Sequence, residues 1–139
     1  MIDLNKLKKA KHMPRRIYIM KKLCLAKNFD IEYLFGLFEL YGVKNRGKWF
    51  WQRATFQGVL KDSLEKFDAF MDRFVKELKS YDESRFLLKM KEAGDLLEDL
   101  VNKIEASLEI DREADKLNVK SYLDDNFKSL IKSNLKGLE

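Results

Sequence analysis

KNRGKWFWQRATFQGVLKDSLEKFDAFMDRFVKELKSY, residues 44–81, is the stretch around which the chain is organised. Its apolar residues from Phe56 onward fall at Leu60, Leu64, Phe67, Met71, Phe74, Leu78 and Tyr81. Steps of three and four residues place them on one face of an α-helix. Just upstream, Trp49, Phe50 and Trp51 stand among Lys44, Arg46, Lys48 and Arg53. The same segment therefore carries a packing surface along its length and a basic, aromatic head at its start. A helix from about Lys48 to Lys79 would form a rod of roughly 48 Å. A compact chain of this length has a radius of gyration of about 14 Å, so an elongated molecule is expected.

Working outward, Ser80–Asp82 reads as a short turn with Asp82 as a helix cap. Phe86, Met90, Ala93, Leu97, Leu100, Ile104 and Leu108 then repeat the ladder. The short connection makes the two helices an antiparallel hairpin. Ile110, Ala114 and Leu117 extend the stripe through a highly charged stretch, with a break expected at Asn118. A last helix follows over about 120–135, with Tyr122 or Leu123, Phe127, Leu130, Ile131 and Leu135 inward.

Upstream, residues 2–12 suit a short helix with Leu4 and Leu7 on its apolar side. Pro14 fits the first turn of a second helix ending near Lys27, with Ile17, Met20, Leu23 and Cys24 inward. Asp30 is an N-cap for residues 31–42, which are apolar except at Glu32 and Glu39 and end on Gly42 as a C-terminal cap. A short helix apolar on most sides belongs at the centre of a bundle or under a partner. The fold expected is all-α: a single domain over residues 1–139, an elongated bundle of five to six helices built on the long antiparallel hairpin. One proline, six glycines and 37% charged residues agree with long helices.

The charge is unevenly spread. Residues 1–61 hold 14 Lys/Arg against four Asp/Glu, a balance of +10, whereas residues 62–139 hold 14 against 19, a balance of −5. A basic half joined to an acidic half points to an anionic partner at one end, or to head-to-tail association. The single Cys24 excludes an internal disulfide and a cysteine-based zinc site, and a reduced, cytoplasmic compartment is expected. No stretch approaches the roughly 20 apolar residues of a membrane span.

Chemistry is not signalled. His12 is the one histidine, in a lysine-rich segment without an acidic orienter. The carboxylates Asp95, Glu98 and Asp99 read as a solvated helix face, and residues 111–115 lack the ligand alternation and glycine of a calcium loop. The glycine-bracketed GVKNRG (42–47) matches neither the P-loop nor the dinucleotide fingerprint and reads as a connecting turn. No catalytic residue, metal or cofactor is assigned, and a non-enzymatic protein is expected.

The basic and aromatic residues carry the functional expectation. Lys and Arg displace counterions from phosphates, and aromatic faces stack on unpaired bases. On this reading Lys6, Lys8, Lys9, Arg15, Arg16, Lys44, Arg46, Lys48 and Arg53 contact nucleic-acid phosphates, while Trp49 or Trp51 stacks on a base or ribose. The chain would be a subunit or accessory factor of a nucleoprotein complex. The alternative is a protein–protein adaptor or inhibitor whose apolar helix 31–42 or long hairpin docks on another protein or on a second copy. A weaker one is attachment of residues 2–27 to an anionic membrane surface.

Overall fold

The computed structural model describes residues 2–44 and 58–139. Among them the chain forms seven α-helices and no strand: α1 (Leu4–Lys9), α2 (His12–Ala26), α3 (Ile31–Lys44), α4 (Gly58–Glu77), α5 (Glu83–Leu108), α6 (Arg112–Lys120) and α7 (Asp125–Leu135). A single 3-10 turn, Leu78–Ser80, follows α4. The expected start of the long helix, from Lys48, lies outside the described residues.

The ladder that defines α4 is core throughout: Leu60, Leu64, Phe67, Met71, Phe74, Leu78 and Tyr81 are all buried. The facing row on α5, Phe86, Ala93, Leu97, Leu100 and Ile104, is buried too. Phe74 meets Phe86 at 5.7 Å between ring centroids near the turn. At the other end Ser63 donates to Asp99 at 3.2 Å and accepts from Lys103 at 2.8 Å. These pairings run in opposite chain directions, so α4 and α5 are an antiparallel hairpin. Asp82 caps α5 by accepting from the Arg85 N–H at 2.8 Å.

Helix α3 lies at the centre. Every side chain described in it is buried except Glu32 and Glu39, which are half-buried. Tyr33, Phe38, Leu34 and Leu37 are among the most fully enclosed side chains. This apolar helix is thus covered by its own chain. It runs through Gly42 to Lys44, so Gly42 is not its cap. The reason is local: a glycine inside a helix weakens it by only about 1 kcal/mol, which burial of Leu40 and Tyr41 offsets.

The helix count differs from the expected five to six because the charged stretch after α5 folds as a separate helix. Glu109 adopts a left-handed conformation (φ 54°). The Ile110 N–H then bonds back to the Glu105 carbonyl at 2.9 Å, ending α5 as a glycine usually would. Asp111 accepts from the backbone of Glu113 and Ala114 and starts α6. The break expected at Asn118 falls instead at Ser121–Asp124, where Asp124 caps α7. Of the inward residues expected there, Leu123, Ile131 and Leu135 are buried and Phe127 is half-buried, whereas Tyr122 and Leu130 are exposed.

Helix α6 crosses α3 at very short range. A Cβ placed on Gly36 would lie 2.4 Å from the Val119 carbonyl oxygen. Only glycine permits this approach, and Val119 itself is buried at 1% exposure.

Candidate nucleic-acid interface

Eleven residues were singled out above, and the structure distributes them among different roles. Arg46, Lys48, Trp49, Trp51 and Arg53 lie outside the described residues. Lys44 is the last residue of α3. The other five sit on α1 and α2.

Arg15 is buried, with 8% of its surface exposed. Its guanidinium donates to four backbone carbonyls: Leu7 (3.3 Å), Lys8 (2.6 Å), Ala10 (3.0 Å) and, from α4, Val75 (3.2 Å). The fork of a guanidinium suits this task because it presents five donors in a fixed plane. Arg15 is therefore spent on joining three segments and is largely withdrawn from solvent. Arg16 forms ion pairs with Asp68, at 3.3 Å, and with Asp72. Lys8 donates its ammonium to the Tyr81 carbonyl.

That leaves Lys6 and Lys9 exposed, together with Lys11 in the α1–α2 connection. The tie made by Arg15 places them beside the C-terminal end of α4, because the carbonyls of Leu7, Lys8 and Ala10 share one guanidinium with that of Val75. Lys76 and Lys79, both exposed, occupy that end. Five solvated ammonium groups from two distant stretches thus share one end of the molecule. Three exposed carboxylates there are bonded, among the described residues, only to neutral backbone or hydroxyl donors and keep their charge. Asp3 accepts from the Lys6 N–H at 3.1 Å, Asp82 caps α5, and Glu77 accepts from the Tyr81 hydroxyl at 3.1 Å. Glu83 adds one exposed carboxylate.

Lys76 and Lys79 were not among the expected site residues. Nearly 70 positions separate them from α1, and on the hairpin alone they read as ordinary solvated residues.

Elsewhere the titratable groups serve the fold. Burial pushes the Cys24 thiol far up, and the side chain has no measurable exposure, so it is an inert core residue. Asp95 and Glu98 face the Lys27 ammonium at 3.4 and 3.7 Å. Asp99 is held by Lys103 at 2.8 Å, and that hydrogen bond lowers its pKa. No group of three or more His, Cys, Asp or Glu among the described residues has the geometry to hold a metal ion. No described helix is long and apolar enough to cross a membrane.

Comparison of the chain with protein-family models, curated proteins and solved structures finds no match.

Proposed function

We propose that this chain is a small non-enzymatic protein that binds the phosphate backbone of a nucleic acid through the end formed by α1 and the C-terminus of α4, as a subunit or accessory factor of a nucleoprotein complex. The observation that carries this reading is that the exposed Lys6, Lys9, Lys11, Lys76 and Lys79 belong to segments that Arg15 ties together. Exposed ammonium groups on long stems follow a phosphate chain without sequence preference and release its counterions. Arg15 contributes by fixing α1 on the bundle.

The test is fluorescence anisotropy with labelled single-stranded RNA, single-stranded DNA and duplex DNA over a range of salt concentrations. Wild-type protein is expected to bind with a steep salt dependence. Replacing Lys6, Lys9 and Lys11 together by alanine should weaken binding to every sequence and reduce the salt slope by about one per lysine. Unchanged affinity in that variant would end the assignment.

A second reading has its own observation. A mainly apolar groove of about 550 Å³ runs between α2 and α7, where Met13, Ile17, Met20, Phe35, Phe127 and Leu130 lie beside His12 and the ion pairs of Arg16 with Asp68 and Asp72. Met13 and Leu130 are 54% and 51% exposed at its rim. Such a groove suits an apolar helix of a partner protein or of a second copy. Sedimentation of wild type and Leu130→Arg separates these cases, since self-association through the groove would be lost in the variant.

A further inference from the structure

We infer that the groove between α4 and α5 is a contact surface for single-stranded nucleic acid, with Phe70 receiving a base and Lys66, Arg73 and Lys89 holding the flanking phosphates. The inference rests on the nucleic-acid reading above and adds to it a polymer class and a second site.

The groove has a volume of about 390 Å³ and is lined by Lys66, Ala69, Phe70, Arg73, Lys89 and Leu96 over a floor of Phe74 and Tyr81. That size is within the range of ligand clefts. Lys66, Ala69, Phe70 and Arg73 follow helical i, i+3, i+4, i+7 spacing, so they form one stripe of α4. Lys66, Ala69 and Arg73 are exposed and Phe70 is half-buried.

Phe70 stands against Phe74 at 6.1 Å and an interplanar angle of 76°, which anchors it to the core. The Lys89 ammonium lies over the ring, 5.6 Å from its centroid. A flexible cation over the ring can yield its place to a π-faced ligand: a base stacks there while the ammonium moves to a neighbouring phosphate.

Charge favours the same occupant. Three cations and no carboxylate line the groove; the acids that interact with its lining residues include Glu77, Glu92 and Asp99. Glu77 is bonded to Tyr81, Glu92 lies 3.5 Å from Lys89, and Asp99 is bonded to Lys103 and Ser63. Lys66 and Arg73 have no carboxylate within ion-pair distance among the described residues, and Arg85 lies over the Tyr81 ring at 5.6 Å. The groove also joins the basic end: Tyr81 lines it, and the Tyr81 carbonyl accepts from Lys8. A strand gripped by the α1 lysines thus passes Tyr81 into the groove. A duplex offers phosphates to such a path, but its bases remain stacked inside, so only a single strand engages Phe70.

The experiment compares a labelled oligothymidylate of about 16 nucleotides, a length that covers both surfaces, with a duplex of equal length. Wild type is expected to prefer the single strand. Phe70→Leu should lose single-strand affinity at least about fivefold, the loss of one stacked base, with duplex affinity unchanged and with recovery in Phe70→Tyr. Arg73→Ala and Lys66→Ala, at exposed positions that do not threaten folding, should each lower the single-strand salt slope by about one. If Phe70→Leu, Arg73→Ala and Lys66→Ala all bind like wild type while the α1 lysine variant still weakens, the groove assignment is overturned and the basic-end reading stands. If wild type binds neither oligonucleotide, both are overturned.

Discussion

The Tyr33 hydroxyl donates a 2.6 Å hydrogen bond to Oε2 of Glu105, joining the central helix α3 to α5 inside the bundle. Arg112, the first residue of α6, completes the arrangement. Its Nε donates to Glu105 Oε2 at 2.8 Å and its Nη2 to Oε1 at 2.9 Å, while its guanidinium covers the Phe29 ring at 4.9 Å. Glu105 is buried, and burial together with this carboxylate raises the Tyr33 pKa. One carboxylate thus holds three helices in register. Tyr33→Phe leaves the bidentate pair intact and should cost about 1 kcal/mol. Arg112→Ala leaves a buried carboxylate short of its counter-charge and should cost about 3 kcal/mol or more. Urea unfolding of the two single variants and the double variant measures the coupling.

Two helical glycines should respond very differently to alanine. At Gly36 the added methyl meets a backbone oxygen of α6, so α3 and α6 must separate; a loss of about 3 kcal/mol is expected. At Gly94 the nearest atom is the Lys27 Cε at 3.3 Å, the end of a flexible side chain. There the helical preference of alanine, about 1 kcal/mol, should offset the adjustment, leaving stability within about 1 kcal/mol of wild type. Thermal melts of both variants test the contrast.

Two carboxylates, one capping the start of α3 and one within it, should give stability opposite pH dependences. Burial and the nearby Asp124 push the Glu39 pKa up from 4.5 to about 7. The folded state then binds the proton more tightly than the unfolded chain, so this contribution is full below about pH 4.5 and is lost as pH rises through 7. Glu39→Gln should raise the melting temperature at pH 8 and change little at pH 4. For Asp30, burial acts to raise the pKa, but the 2.7 Å bond from Lys120 and the cap to the Tyr33 N–H outweigh it and lower the pKa. Its contribution is present above the ordinary carboxylate pKa and fades as pH falls through the lowered one. Asp30→Asn should therefore destabilise at neutral pH and lose that effect in acid.

Anchoring and binding should separate on α1 and α2. Arg15→Ala leaves four carbonyls without their donor and should cost about 3 kcal/mol. Arg15→Lys retains the charge but not the fork, and should recover only part of that. Alanine at Lys6, Lys9 and Lys11 should leave the melting temperature nearly unchanged while weakening oligonucleotide binding. A comparable loss of stability in that variant would show that these lysines serve the fold instead.

Much of the architecture was legible because helical burial repeats at a fixed period. The rows Leu60–Tyr81 and Phe86–Ile104, the caps Asp30 and Asp82, and the apolar α3 are local patterns, and each predicts its own element. The separate helix α6 was not legible. Its boundary depends on Glu109 in a left-handed conformation that carries no glycine signal and on a guanidinium reaching back to Glu105. The charge asymmetry likewise marked α1 as basic, but the residue type of Arg15 gave no hint that it is enclosed. Nor could the sequence bring the Val75 carbonyl to the guanidinium that holds α1, or Lys89 over Phe70. Those relationships join residues far apart in the chain. They exist only once the hairpin has closed and α1 has been tied to it, because charge and ring contacts act over a few ångströms of space regardless of sequence distance.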